Sequence, residues 1–309
     1  MGNSIKITSP ATVANVACGF DILGFALDGP GDEMELTLTE QPGIEITEIT
    51  GVEGLPMQAE ENVAGVALQA MVEKLKIEKG FRMRIHKGIL PGSGIGSSAA
   101  SAAGAVFAAN ELLGRPCTRA ELVPFAMEGE KLVSGVAHAD NVAPALMGGF
   151  TLVRSYAPLD LVPIPAPKGL WAAVVHPQIE VRTADARGIL RREIPLSDAI
   201  TQWGNVAGLV AGLLKGDLGL VGRSLEDVVI EPIRSILIPG YETAKAAALQ
   251  AGALGCSISG SGPSMFALCE GKEIAERVGN VMGGVFEELG VERLVHVSGV
   301  NPVGCRISR

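Results

Sequence analysis

Pro91-Gly92-Ser93-Gly94-Ile95-Gly96-Ser97-Ser98-Ala99-Ala100 is the stretch on which the reading of the whole chain turns. Just upstream, Phe81, Met83 and Ile85 alternate with Arg82, Arg84 and His86, the period of two that marks a half-buried strand with His86 on its solvated side. Downstream, residues 97–113 form an alanine-rich run closed by Gly114 and Pro116, which predicts a helix with a clear stop. A strand therefore enters a glycine-rich turn and leaves as a helix. Such a turn binds anions, because glycine lets the backbone approach a ligand and the free N–H groups at the helix start point toward negative charge. The Ser97 and Ser98 hydroxyls either bond to phosphate oxygens, or to a metal held by them, or serve only as caps of the helix.

Two common nucleotide loops are excluded by spelling. A loop ending in Gly-Lys-Ser/Thr is absent, since no lysine lies between Lys87 and Lys131, and a dinucleotide fingerprint would need glycine where Ser97 stands. A second glycine-rich stretch, Gly255-Cys256-Ser257-Ile258-Ser259-Gly260-Ser261-Gly262-Pro263, lies between a predicted helix and a predicted strand, so no helix start is aimed forward from it.

Working outward, residues 33–40 alternate Met34, Leu36 and Leu38 with polar neighbours, and Gly43–Thr50 reads the same way, so strands open this region. Glu60–Lys79 carries apolar residues near helical spacing, and Thr118 with Glu121 forms a capping box for a helix after the alanine-rich one. Pro158, Pro163, Pro165 and Pro167 punctuate the chain, and the apolar run Leu170–His176 follows them. The boundary is placed near residue 160, giving domains 1–160 and 161–309. This agrees with a length of 309 residues at roughly 150 per domain. Beyond the boundary the pattern predicts helices near 197–214, 240–253 and 272–289 and strands at 264–269 and 291–298. That order suits an α+β domain with an antiparallel sheet backed by helices.

A net charge of −9, from 25 Lys and Arg against 34 Asp and Glu, argues against a surface built to neutralise nucleic acid. No apolar run reaches the roughly 18 residues of a membrane span, and the first residues lack a signal-peptide pattern, so a cytoplasmic protein is expected. The cysteines at 18, 117, 256, 269 and 305 are scattered and unpaired in sequence, which signals neither a disulfide framework nor a zinc site.

The loop at 91–100 resembles the PxxxGxGSSAA motif of the GHMP kinases, with one residue fewer between Pro91 and Gly94; the family phosphorylates galactose, homoserine, mevalonate and related alcohols. The 255–263 stretch resembles the third motif of that family, the loop that closes against nucleotide and substrate. Within the family, Pro10-Ala11-Thr12-Val13-Ala14-Asn15-Val16-Ala17-Cys18-Gly19-Phe20-Asp21 followed by Ile22-Leu23-Gly24 resembles the homoserine-phosphorylating branch. So do Glu130, Ser134, Gly135, His138, Asp140 and Asn141, then Thr183, Asp185 and Arg187, then Glu231, Pro232, Arg234 and Ile238-Pro239-Gly240. The resemblance implies an α+β GHMP kinase fold, with an N-terminal domain like domain 2 of ribosomal protein S5 and a ferredoxin-like C-terminal domain, nucleotide between them. It implies ATP-dependent phosphorylation of L-homoserine to O-phospho-L-homoserine in threonine biosynthesis, Mg²⁺ as cofactor and a homodimer.

On the same resemblance, ATP is held by Asn62 and Val63, by Pro91, Gly92, Ser93, Gly94, Ile95, Gly96, Ser97 and Ser98, and by Ser261, with Ser98 and Glu130 on the metal. The substrate residues are Asn15, Asp21, His138, Thr183, Arg187 and Arg234, and the catalytic set is Ser98, Glu130, Asp140 and Asn141. Chemistry agrees with these types: a zwitterion with a hydroxyl tail needs a cation for its carboxylate, which Arg187 and Arg234 can supply. Asn15, Asp21 and Asp140 can meet the ammonium and the region of the hydroxyl. His138 has no second His or Cys near it and is expected to hydrogen-bond substrate rather than bind metal. Some relatives have an aspartate base where Asn141 stands, and an amide cannot take a proton usefully. The hydroxyl proton is therefore expected to pass to the γ-phosphate or to solvent, with Asp140 the rival base. A different GHMP substrate, such as mevalonate or a diphosphocytidyl-methylerythritol derivative, and a non-catalytic nucleotide-binding protein are the alternatives.

Overall fold

Two long strands, β1 (Ser4–Val16) and β2 (Gly19–Thr39), form an antiparallel hairpin that organises the N-terminal half. Their register slips between Pro10, opposite Gly31, and Thr12, opposite Ala26, and β2 pairs with β5 before the slip and with β4 after it, so the hairpin serves two sheet regions. The computed structural model describes residues 2–181 and 183–308. Next come β3 (Ile44–Thr50), α1 (Val63–Leu75) and β4 (Gly80–His86), where α1 makes the crossover that the parallel pair β3–β4 requires. Then follow α2 (Ser97–Leu112), α3 (Arg119–Ser134), α4 (Val142–Met147), β5 (Phe150–Tyr156) and β6 (Leu159–Ile164). The first sheet runs in the order β11-β1-β2-β4-β3, where β11 (Arg306–Ile307) returns from the far end of the chain, and β5 joins β2 and carries β6.

Helix α2 is buried along nearly its whole length, packed against β1, β2, α1 and α3. Its alanines are the reason it fits: small side chains let a helix lie close on every side. Thr118 and Glu121 form the expected reciprocal cap at the start of α3.

The second sheet contains β7 (Leu170–Pro177), β8 (Gly255–Ile258), β9 (Met265–Glu270) and β10 (Arg293–Gly299), in the order β10-β7-β9-β8 with every pair antiparallel. Between β7 and β8 lie α5 (Thr183–Gly188), α6 (Leu196–Lys215), α7 (Leu218–Ser224), α8 (Glu231–Arg234) and α9 (Tyr241–Gln250), and α10 (Lys272–Glu288) joins β9 to β10. Taken in chain order this is strand arrangement 4-1-3-2 with helical crossovers, the ferredoxin-like pattern expected of this half. Alternation explains the unbroken apolar run of β7. Ala172 and Val174 enter a core shared with the first sheet, while Ala173 and Val175 enter a core under α9 and α10.

The shared core joins the halves. Phe25 packs 4.8 Å from Phe150 and 6.0 Å from Phe266, centroid to centroid, so strands of both sheets meet on the same aromatic cluster. The hairpin β5–β6 runs across residue 160, and the chain passes from one sheet to the other over residues 165–169. The second glycine-rich stretch differs from its reading as a loop between helix and strand. Its first four residues are β8, and only residues 259–263 turn, because Cys256 and Ile258 are buried in the second core.

Candidate active site

A cavity of about 450 Å³ opens where the first glycine-rich loop, the 259–263 turn, the ends of α3 and α5 and the β1–β2 hairpin meet. Of the residues expected at a site, Asn15, Asp21, Asn62, Val63, Pro91, Gly92, Gly94, Gly96, Ser97, Ser98, Glu130, His138, Asp140, Asn141, Arg187, Arg234 and Ser261 line it. Ser93 and Ile95 do not present their side chains there. The Ser93 hydroxyl is buried in the loop and Ile95 enters the shared core. Thr183 opens α5, and its side chain lies outside the described residues.

The loop is held from behind. Ser264 Oγ donates to the Ser93 carbonyl at 2.5 Å, Ser259 Oγ to the Gly94 carbonyl at 2.7 Å, and the Thr12 N–H to the Ile95 carbonyl at 3.1 Å. Each trans peptide then directs its N–H away from these anchors. Helix α2 begins at Gly96, whose φ is +72° and which supplies no side-chain cap, so the first-turn N–H groups stay available to an anion. Ser97 is not a cap either, since its hydroxyl donates to the Ile89 carbonyl at 2.8 Å.

Beside that helix start lies Glu130, 8% exposed, which accepts a hydrogen bond from Ser98. Burial pushes its carboxyl up to about 7, against the pull of the Ser98 hydroxyl and the nearby Lys87. Lys87 is buried as well. Its ammonium pairs with Asp32 and donates to the Ser97 carbonyl at 2.8 Å and to Ser101 Oγ at 2.9 Å, while Asp32 also accepts the Gly88 and Ile89 N–H groups. Burial lowers the Lys87 ammonium and raises the Asp32 carboxyl, each opposed by the charge of the other. Sequence reasoning missed this pair, although a signal existed: Lys87 continues the buried parity of Phe81, Met83 and Ile85.

At the opposite end of the cavity the charged residues meet. Arg187 forks onto Asp21, at 2.7 Å and 3.2 Å, and lies with Arg234 against the ring of Phe20. Arg234 is buried, donates to the Ala186 and Gly260 carbonyls, and is lowered to about 10 by burial and by Arg187. Asn15 is mainly a structural tie: its Nδ2 donates to the Gly260 carbonyl and its Oδ1 accepts the Asp21 N–H, both at 2.8 Å. Both ring nitrogens of His138 are buried without a hydrogen-bond partner among the described residues, and Nδ1 stands 3.8 Å from Asp21. Burial lowers the imidazole, Asp21 opposing and Arg187 reinforcing the effect. Asp140 is raised to about 7, first by burial and then by Asp21. Its backbone needs Gly24, because a Cβ there would come within 1.7 Å of the Asp140 carbonyl oxygen. Tyr156, which no sequence signal marked, donates to the Asp21 carbonyl at 2.7 Å and accepts the Ala139 N–H.

Asn62 is committed to the fold. Its Oδ1 caps α1 through the Ala64 N–H, and its Nδ2 donates to the Pro56 carbonyl, which brings Leu55 and Pro56 to the rim of the cavity beside Val63.

The sequence patterns of the families described as "GHMP kinases N terminal domain" and "GHMP kinases C terminal" match residues 62–149 and 209–288. A homoserine kinase of Chlorobium phaeobacteroides is 53% identical over 294 residues, 92% of each chain. The crystal structure of homoserine kinase from Cytophaga hutchinsonii superposes with a TM-score of 0.96 at 54% identity, over 100% of this chain and 98% of that one. The mevalonate kinase of L. major in complex with R-mevalonate, at 19% identity and a TM-score of 0.73 over 97% and 98% of the two chains, shares the fold.

Proposed function

The chain belongs to the GHMP kinases and within them to the homoserine kinases, and from that premise we propose how its residues carry the γ-phosphate of ATP to the hydroxyl of L-homoserine. The observation that carries the reading is one cavity with an anion-binding loop at one end and the Asp21, Arg187 and Arg234 cluster at the other. The loop N–H groups and the start of α2 take the ATP phosphates, and Ser261 closes on them from the second half. Leu55, Pro56 and Val63 form the purine end, with Asn62 holding their loop in place. Arg187 and Arg234 receive the substrate carboxylate, Asp21 its ammonium, and His138, whose two buried nitrogens make no hydrogen bond among the described residues, a polar atom of the same molecule.

The donor set fits Mg²⁺. A buried carboxylate raised to about 7 beside a hydroxyl is a hard-oxygen pair that a cation would stabilise, and among the described residues no cluster of three or more His, Cys, Asp or Glu could hold a metal by itself. Glu130 and Ser98 would hold it with the phosphates, where it supplies charge neutralisation. The substrate hydroxyl oxygen bonds to the γ-phosphorus as the bond to the β-bridging oxygen breaks, and ADP leaves. The hydroxyl proton passes to the transferred phosphoryl group or to solvent, because a loose transition state needs little early activation of the nucleophile. Asp140 orients the substrate. Its carboxyl near 7 favours a second reading as general base, which Asp140→Asn decides.

Around this centre we place two domains, residues 1–164 with the returning β11 and residues 165–300, in a cytoplasmic homodimer. The dimer reading rests on an exposed apolar stripe, Leu196, Ile200 and Trp203, along α6. Among the described residues no helix is long and apolar enough to cross a membrane.

The test is ADP release from Mg-ATP with L-homoserine, mevalonate, galactose or no acceptor. Release with L-homoserine alone is expected. Release with another alcohol would keep the phosphate end of the reading and overturn the acceptor end, and absence of ATP binding by folded protein would overturn both.

A further inference from the structure

Thr12 belongs to no binding set, yet it sits at the point where three parts of the site touch. It is fully buried at the register slip of β1, its backbone N–H holds the Ile95 carbonyl, and its Oγ1 donates to Asn141 Oδ1 at 2.7 Å. The glycine loop packs directly on that hydrogen bond. A Cβ on Gly96 would lie 2.1 Å from Thr12 Oγ1 and 3.0 Å from Asn141 Oδ1, so the pair leaves no room for a side chain at Gly96, whose φ of +72° independently favours glycine.

The consequence concerns the direction of one amide. An asparagine side chain presents an acceptor on one edge and two donors on the other. With Oδ1 engaged by Thr12, Nδ2 is the amide group left to donate toward the cavity that Asn141 lines, and it makes no hydrogen bond to a described residue. From this geometry we infer that Thr12 is a positioning residue for phosphoryl transfer. Its hydroxyl fixes the Asn141 amide so that N–H donors face the oxygens among which negative charge is exchanged. A hydroxyl at residue 12 thereby determines that residue 141 acts as a donor to those oxygens. If the amide turned over, its oxygen would face the same anionic atoms and repel them.

The inference rests on the placement of Asn141 in the active site, and a double-mutant cycle separates the two. Thr12→Val, Thr12→Ser, Asn141→Ala and Thr12→Val/Asn141→Ala are compared for kcat, both KM values and Tm. Thr12→Val keeps the shape and removes the hydroxyl. Its kcat is expected to fall by about 10- to 100-fold, at or below the usual loss on removing one aimed donor, with KM values within about twofold of the parent. Thr12→Ser restores most of the rate. In the Asn141→Ala background Thr12→Val has no further effect on kcat, because there is no amide left to orient. Wild-type kcat in Thr12→Val, the same fractional loss in both backgrounds, or a serine variant as slow as the valine one each overturns the inference. Wild-type turnover in Asn141→Ala overturns the placement of Asn141 and the inference with it. Should Thr12→Val lose its fold, Thr12→Ala is read through the same cycle.

Discussion

Replacing Glu130 by glutamine separates what this carboxylate does for the reaction from what it costs the fold. Burial carries the carboxyl from an ordinary 4.5 to about 7, and each tenfold change in an ionisation constant is about 1.4 kcal/mol, so ionising it in the ligand-free protein costs about 3 kcal/mol. The folded form holds its proton more tightly than the unfolded form. Its contribution is therefore fully present below pH 4.5 and is lost as pH rises through 7. Glutamine keeps the shape and the acceptor for Ser98 without the charge. At pH 8, without nucleotide or metal, Glu130→Gln should be the more stable protein by about 3 kcal/mol, which is several degrees in Tm for a chain of this size. At pH 5 the advantage should shrink to about 1 kcal/mol. Adding Mg-ATP at pH 8 should reverse the order, raising the Tm of the parent well above that of the variant, and kcat of the variant should fall by about 100-fold or more. Differential scanning fluorimetry across pH 5–8, with and without Mg-ATP, reads all of this. A variant less stable than the parent at pH 8, or a difference that does not change with pH, refutes the claim that Glu130 is a buried carboxylate awaiting a cation.

Asp140→Asn should raise the KM for L-homoserine by about tenfold or more while kcat stays within about threefold, and a collapse of kcat with KM unchanged would make Asp140 the base. Arg187→Lys loses the guanidinium fork on Asp21, so steady-state kinetics should show a KM for L-homoserine at least about tenfold higher with little change for ATP. Lys87→Met leaves Asp32 buried without its cation and should cost about 3–5 kcal/mol in urea unfolding. Lys87→Met/Asp32→Leu should recover only part of that, because the Gly88 and Ile89 N–H groups then lose their acceptor.

Part of the site was legible because its chemistry is local. The glycine loop carries its own strand, turn and helix start in consecutive residues, and the capping box of α3 lies within four positions, so neither needs a distant partner to be recognised. Alternation likewise gave β4, and of the second sheet the pattern predicts the strands seen as β9 and β10, while β8 reads as part of a glycine-rich loop. The long β1 and the first half of β2 were not read as strands. Their pairing holds residues in left-handed conformations, Asn15 at φ +56° and Asp21 at φ +60°, and only tertiary contacts hold them there.

Read alone, the residues gave a strand, glycine turn and helix start with the chemistry to hold an anion, and strands and helices in both parts of the chain, since both follow from short-range spacing and turn chemistry. Tertiary structure decided the rest. Asn15 and Asn62, polar residues read as ligand contacts, line the cavity and also hydrogen-bond within the fold, while Thr12, Tyr156 and Lys87 are assigned no role from the sequence. Direction of a hydrogen bond is set by partners over a hundred residues away, as between Thr12 and Asn141 or Arg187 and Asp21, and spacing along a chain does not encode it.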